Sequence, residues 1–374
     1  MPVKNQDKTK KTRSHIARSL GPGLVPCLLL LAPFAVLFIS LTVNIYAAIS
    51  VSVLTGIAGM LLFWRMSRQI EKAHTRLQYL NNNLRRAFST FLPVDVVEDI
   101  VTDPARLQLG GVKRYMTALF TDIKGFTAIT ESLPPEQIVE ILNYYLSTMS
   151  DVILDQKGTI DKYEGDGIVA FFGAPLELPD HALRACATAI LMKKAEREVN
   201  RNILAKGSSP PLFTRIGINS GEMVVGNMGT PKKMNYTVIS NAVNLASRIE
   251  GINKQYDTWI LATENTIRDT GSHILSRRLD RIRVVGINEP VRIYEVMGTD
   301  SGAADELREQ IHLFEKAMNY FEERNWKDAQ STFNRVIELV PDDGPSLLYL
   351  RRCRRYLEFM PDQNWDGVFD FTEK

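Results

Sequence analysis

The 374-residue chain is long enough for two or three folded units, and its composition, 45% hydrophobic and 24% charged with a net charge of +2, is that of an ordinary globular protein. So small a net charge gives no bulk electrostatic basis for binding nucleic acid. The three cysteines, Cys27, Cys186 and Cys353, lie far apart, and the five histidines show no ligand spacing. This argues against a disulfide framework or a zinc centre and suits a reducing cytosol for the soluble part.

The N-terminus departs from that picture. Residues 19–64 contain no Asp, Glu, Lys, Arg or His. As helix they would run roughly 70 Å, against a hydrocarbon core of about 30 Å, so two crossings are expected. They fall near 24–42 and 46–64, with Asn44 at the turn and Tyr46 and Trp64 at the interfaces. Lys4, Lys8, Lys10, Lys11, Arg13 and Arg18 precede the first span, and Arg65, Arg68 and Lys72 follow the second. The positive-inside rule then puts residues 1–20 and everything after residue 64 in the cytoplasm. A cleaved signal peptide is the rival reading, but the apolar run is too long for one and a second span would remain.

Residues 65–92 carry a seven-residue spacing, Ile70, Leu77, Leu84 and Phe91, with Ala73, Leu80 and Ala87 between. That is an a/d seam over three heptads and predicts a parallel coiled coil that holds two chains in register. The alternative is one amphipathic helix packed on its own domain. Pro93 ends the helix, and 94–101 reads as a short capping helix.

Strands and helices then interleave to residue 298. The pattern predicts a strand at 115–120, a helix at 134–154, and a hairpin of strands 158–162 and 167–172 turning at Glu164, Gly165, Asp166 and Gly167. A helix at 181–199, strands at 212–219 and 222–226, a polar excursion, a helix at 241–256 and strands ending at 293–296 follow. Mixed strands with helical cover argue for an α+β or α/β sandwich.

Two aspartates stand at strand ends beside glycine: Asp122, in FTDIKGFT at 120–127, and Asp166, in the hairpin turn. If the first strand lies beside that hairpin, both carboxylates converge on one edge of the sheet. Paired carboxylates without competing nitrogen or sulfur suit a hard cation such as Mg²⁺ or Mn²⁺, which also holds substrate phosphates. Taken singly, an aspartate in a glycine turn is an ordinary turn residue. Further along, Asn244 and Arg248 are four apart and share a helical face, offering a sugar donor and a phosphate clamp. Alone they would read as a surface polar pair.

Together the runs FTDIKGFT, KYEGDGIVAFFGAP, RIGINSGEMVVGN and YTVISNAVNLASR resemble, in order and spacing, the consecutive motifs of class III nucleotidyl cyclases. The resemblance covers about residues 114–296 and implies an α+β, ferredoxin-like catalytic domain at 93–298 with a mixed sheet. It further implies a homodimer with active sites at the subunit interface, each holding two Mg²⁺ or Mn²⁺ ions and converting a nucleoside triphosphate to its 3′,5′-cyclic monophosphate and pyrophosphate. By the resemblance, Asp122, Asp166 and the backbone of Ile123 hold metal. The backbone of Ile123, Lys124, Gly125 and Phe126 lies against the triphosphate. Asn244 orients the ribose, Arg248 stabilises transition-state charge, and Lys162 and Thr237 read the base. Adenine offers an acceptor at N1 and a donor at its 6-amino group, which an ammonium and a hydroxyl acceptor complement; guanine offers the reverse. Lys162 therefore favours ATP, and the expected activity is that of an adenylate cyclase, a phosphorus–oxygen lyase. A guanylate cyclase and a weakly active or inactive cyclase-fold scaffold are the alternatives.

Two departures bear on this. Family members commonly carry a Lys-Gly-Lys run before the last strand pair, where this chain has Val285, Gly286 and Ile287. Arg283 shares a strand face with Val285 and is expected either to replace the missing phosphate contact or to be a plain surface arginine. Ser240 and Asn241 replace a more usual Gly-Asp pair.

After a linker at 299–305, residues 306–374 read as a helical hairpin. Tyr320, Ala329, Phe333 and Pro341, with Asn325 in the turn, resemble a single tetratricopeptide unit. One repeat cannot bury both faces, so it is expected to pack on the catalytic domain or its twin, or else to bind a protein partner. The ending at 364–371, with Trp365, Phe369 and Phe371, is expected to dock back as an aromatic strap. The layout resembles bacterial receptor cyclases, which implies a multi-pass protein of the inner membrane with its catalytic domain in the cytoplasm. The loop near Asn44 is only a few residues, so the extracytoplasmic sensor of those relatives is expected to be missing here.

Overall fold

The computed structural model describes residues 33, 45–89, 101, 108–207, 209–284, 289–301 and 304–370. The chain divides into two compact units, Met1–Phe88 and Ser89–Lys374.

The first unit is dominated by helix α1 (Ile45–Ser89), 45 residues long. Its stretch from Ile49 to Arg86 is the one helix among the described residues long and apolar enough to cross a membrane. The second expected span falls in α1, and the first lies outside the described residues except for residue 33. Where the apolar run gives way to charge, the Arg68 guanidinium stacks over Trp64 at 3.9 Å, the pairing of cation and aromatic face that suits an interface. The expected seam is uncovered: Ile70, Leu77, Leu80 and Leu84 are 57%, 65%, 49% and 57% exposed. Phe91 and the expected capping helix fall almost wholly outside the described residues.

The second unit is built on a mixed sheet. Its elements are β1 (Gly110–Ile123), α2 (Phe126–Ser132), α3 (Pro135–Asp155), β2 (Thr159–Glu164), β3 (Gly167–Phe172), α4 (His181–Lys206), β4 (Thr214–Thr230), β5 (Lys233–Ile239), α5 (Asn241–Tyr256), β6 (Ile260–Thr263), α6 (Glu264–Thr270), β7 (Ile274–Arg283), β8 (Val291–Thr299), α7 (Asp305–Glu322), α8 (Trp326–Leu339), α9 (Gly344–Glu358) and β9 (Val368–Asp370). The strand order is β2-β3-β1-β4-β6-β8-β7-β9, with β5 paired to β4. The β4–β6 and β7–β9 pairs are parallel and the others antiparallel.

Period-two alternation along β1 assigns its side chains to two separate cores. Leu119 and Ile123 join Ile168, Ala170 and Phe172 beneath α3 and α4. Met116 and Ala118 join Phe171, Met223, Val225 and Val238 beneath α5.

Three expectations need correction. The turn expected near Ser220 and Gly221 is absent: β4 is one strand of 17 residues. Ser220 and Gly221 stay in the ladder because they pair with Thr117 and Met116 of β1, so the partner strand overrides local turn chemistry. The polar excursion after it contains β5. The tail is not a two-helix hairpin. Asn325 does cap α8 through the Asp328 amide, but α9 follows, and the three tail helices share one core with α5, β6, β7 and β8. Phe314, Phe333 and Tyr349 of the tail are fully buried against Leu279, Ile282 and Ile293 of the sheet. Trp365 packs edge-on to Phe321 and Trp326, and β9 extends the sheet along β7.

Candidate active site

Asp122 is the penultimate residue of β1, in register with Arg215 of β4. Asp166 sits in the two-residue turn between β2 and β3, where Gly165 takes φ 66. Because β3 pairs with β1, the hairpin tip lands beside the end of β1. There the Ile123 amide donates to Asp166 Oδ2 at 3.0 Å and the Ile168 amide to the Thr121 hydroxyl at 2.9 Å. Gly167 permits this approach, since a Cβ at that position would stand 2.5 Å from the Thr121 carbonyl oxygen. The two aspartates, far apart in sequence, thus share one corner of the sheet.

The corner is electrostatically loaded. Burial and then the Asp166 charge hold the Asp122 carboxyl above its usual range, with Arg215 acting against them. Glu250 of α5 joins the same field. Its carboxyl is pushed up to about 8 by burial, then by Asp122, with Arg215 opposing and Asp166 adding. Helix α5 can lie this close because β4 carries Gly217, whose added Cβ would meet the Glu250 amide nitrogen at 2.3 Å. Glu250 and Arg215 were missed from sequence. The available signals were the glycine in RIGINSG and a carboxylate flanked by Ile249 and Ile252, both buried.

Repelling carboxylates held partly out of water are the donor set a hard divalent cation stabilises. The residues fit such an ion, with Asp122, Asp166 and the Ile123 backbone as oxygen donors. Among the described residues no cluster of three or more His, Cys, Asp or Glu is assembled as a metal site, so backbone or non-protein oxygens would complete the shell.

After Ile123 the chain turns at Gly125, which takes φ 71 and leads into α2 without a side-chain cap. Lys124 points away from the hairpin tip: its Nζ lies 3.7 Å from Asp257 and 5.3 Å from the Trp259 ring centroid. Phe126 packs into the core beneath α3. What the segment offers a ligand is therefore backbone.

Lys162 and Thr237 meet through a third residue. The β4–β5 ribbon curls back so that the Thr237 hydroxyl donates to Asp161 Oδ2 of β2 at 2.9 Å, and Lys162 Nζ lies 3.8 Å from the same oxygen. Asn244 and Arg248 lie on α5, the first exposed and the second half-buried. No hydrogen bond or ion pair joins either to the aspartates among the described residues of one chain. Arg283, expected either to replace the missing phosphate contact or to be a surface arginine, is paired with Asp366 of the tail. With β4, β6 and β8 between β7 and β1, it is four strand spacings from the aspartate corner in its own chain, roughly 19 Å. Val285, Gly286 and Ile287 lie outside the described residues.

Residues 112–298 match the adenylate and guanylate cyclase catalytic domain. The chain is similar to adenylate cyclase 1 of Rhizobium meliloti (strain 1021), 32% identical over 225 residues covering 59% of this chain and 34% of the relative. It is also similar to an adenylate cyclase of Anabaena cylindrica, 35% identical over 244 residues covering 62% of this chain and 47% of the relative. The chain thus spans less than half the length of either. A solved bacterial light-regulated adenylyl cyclase shares the fold at a TM-score of 0.52 and 23% identity, over 65% of this chain and 69% of that one. With residues 112–298, half of the chain, matched, this protein belongs to the adenylate and guanylate cyclase catalytic domain family.

Proposed function

We propose that the chain is a membrane-anchored adenylate cyclase that converts ATP to 3′,5′-cyclic AMP and pyrophosphate as a homodimer. The observation that carries this reading is the convergence of Asp122 and Asp166 at one sheet corner, tied through the Ile123 amide. The similarity to relatives named adenylate cyclases supports ATP, as does the ammonium of Lys162 beside Thr237.

In this reading Asp122 and Asp166 hold two Mg²⁺ or Mn²⁺ ions, which when bound supply charge neutralisation at the 3′-oxygen and at the departing pyrophosphate. The backbone from Ile123 to Phe126 lies along the triphosphate, with Gly125 permitting the turn. Arg248 balances charge on the phosphoryl oxygens and Asn244 orients the ribose, and both reach the aspartates of the other chain. That requirement agrees with the absence, among the described residues of one chain, of any hydrogen bond or ion pair between either of them and the aspartates. The exposed seam of Ile70, Leu77, Leu80 and Leu84 supports a parallel coil between the two chains. The anchor comprises two spans at 24–42 and 46–64 in a bacterial inner membrane, with catalysis on the cytoplasmic side. Arg283, held by Asp366, has no phosphate role in this reading.

The test is to incubate the purified full chain in detergent or lipid discs with ATP or GTP and Mn²⁺, and to assay cyclic products. Cyclic AMP that disappears in Asp122→Ala is expected. Product from GTP alone would replace the reading with a guanylate cyclase, and no product from either would leave a silent member of the family.

A further inference from the structure

Asp161 was not singled out in sequence, yet it sits where the two base-facing residues meet. Strand β2 is irregular at this point: Ile160 pairs with Ala170 and Lys162 with Val169, leaving Asp161 as an extra residue. Such a bulge breaks strict alternation and re-aims side chains, so neighbours on one strand can serve one site. The result is a carboxylate whose side chain is only 3% exposed, accepting the Thr237 hydroxyl proton at 2.9 Å with Lys162 Nζ at 3.8 Å. Lys162 itself is 51% exposed and lies 3.7 Å from the exposed Glu164. The ring of Tyr236, beside Thr237, lies tilted at 6.2 Å from that of Phe171 and packs β5 against β3, the hairpin partner of β2.

A threonine hydroxyl has one proton and two lone pairs, and by itself it can face a base as donor or acceptor. Once its proton is committed to a buried carboxylate, only its lone pairs remain for a ligand. The same carboxylate holds the Lys162 ammonium, which can only donate, on that side of the hairpin. The geometry points to Asp161 as the positioning residue that sets base selectivity: by fixing the Thr237 proton and steering Lys162, it presents one acceptor beside one donor, the complement of adenine's 6-amino group and N1. The inference rests on the adenylate cyclase reading and deepens it. A hydroxyl with its proton uncommitted could donate to guanine's O6 instead, and Asp161 removes that option.

The experiment compares wild type, Asp161→Ala, Asp161→Asn and Thr237→Val in the full chain with Mn²⁺. Substrates are ATP, GTP and purine riboside triphosphate, which lacks the 6-amino group. Kinetics are paired with displacement of a fluorescent ATP analogue, so that binding is read independently of turnover. Asp161→Ala is expected to lower kcat/KM for ATP about tenfold, mainly through KM, the size of one lost polar contact. It should change purine riboside triphosphate less than about twofold and shrink the ATP-to-GTP ratio. Asp161→Asn keeps an acceptor for Thr237 and should recover much of the ATP preference, while Thr237→Val should copy Asp161→Ala. Equal losses with ATP and with the purine analogue would reduce Asp161 to a structural role and overturn the assignment alone. A wild type that binds ATP without turnover would defeat the catalytic reading alone, since displacement still measures the selectivity of each variant. A wild type preferring GTP would overturn both.

Discussion

Replacing Glu250 with glutamine should flatten the dependence of stability on pH. The Glu250 carboxyl stands at about 8, against an ordinary 4.5, because of burial and the charges of Asp122 and Asp166, with Arg215 opposing. Below pH 4.5 folded and unfolded chains both hold this proton. Above it the unfolded chain ionises while the folded one does not, so stability falls as pH rises and stops falling only above the folded value. At about 1.4 kcal/mol for each pH unit, roughly 2 kcal/mol is lost between pH 6 and pH 8, on the order of 5 °C in Tm for a domain of this size. Asp122 is raised for related reasons and acts in the same direction at lower pH. The assay is thermal unfolding across that range, with and without Mn²⁺. A cation among these carboxylates favours their ionised forms, so Mn²⁺ should raise Tm more at pH 8 than at pH 6. If Glu250→Gln keeps the full wild-type slope, Glu250 does not share the aspartate field and the reasoning fails.

On the proposed shared-site reading, Asp166→Ala chains and Arg248→Ala chains should each be inactive alone and regain part of the cyclic-nucleotide production when mixed. Absence of recovery in verified mixed dimers would sink the shared-site arrangement. Gly167→Ala should abolish activity and lower Tm, because its methyl would meet the Thr121 carbonyl at 2.5 Å; Gly125→Ala, with nothing within 4 Å, should cost only the roughly 1–2 kcal/mol of its positive φ. Equal effects of the two would show that close packing at the hairpin tip is unimportant. Asp343→Ala leaves Arg277, 1% exposed, with Glu295 as its remaining carboxylate. Losing one of the two carboxylates of a buried arginine, together with the α9 cap that Asp343 supplies, costs on the order of 3 kcal/mol, a Tm loss on the order of 10 °C by calorimetry.

What the sequence made legible was local. Glycine next to acid at 164–167 marked the β2–β3 turn, and the apolar spacing at 134–154 marked α3, because turn chemistry and helical period act over a few residues. The aspartate corner followed only from assuming that the hairpin lies beside the first strand. Features set by distant partners were not legible. Arg352, in a run of basic residues, is 2.6 Å from Asp280 and lies over the Phe369 ring at 4.5 Å, contacts that no local pattern signals. Glu250 acquires its high proton affinity from β1, β4 and the hairpin at once. Strand alternation leaves Arg283 as either a phosphate contact or a surface arginine, and it cannot show that its partner, Asp366, comes from a tail segment 83 residues on.

These tail contacts bear on where the catalytic unit ends. The match to the family stops at residue 298, which suggests a cut after the last shared strand. The packing argues against that cut. Removing α7, α8 and α9 would uncover Ile249, Ile252, Tyr256, Leu261, Leu279, Ile282 and Ile293, all now buried in the core shared with the tail. At about 1.5–3 kcal/mol for each large apolar side chain, the exposure amounts to on the order of 10 kcal/mol, comparable to the whole stability of a domain. Arg277 would lose Asp343, and the pair of Asp280 with Arg352 would lose its cation. A chain ending at residue 304 should therefore be recovered mainly as aggregate, or melt well below the full chain, and should lose cyclase activity with its fold. If it instead melts within about 2 °C of the full chain and keeps its activity, the tail is a separable module and the shared core contributes nothing to the catalytic fold.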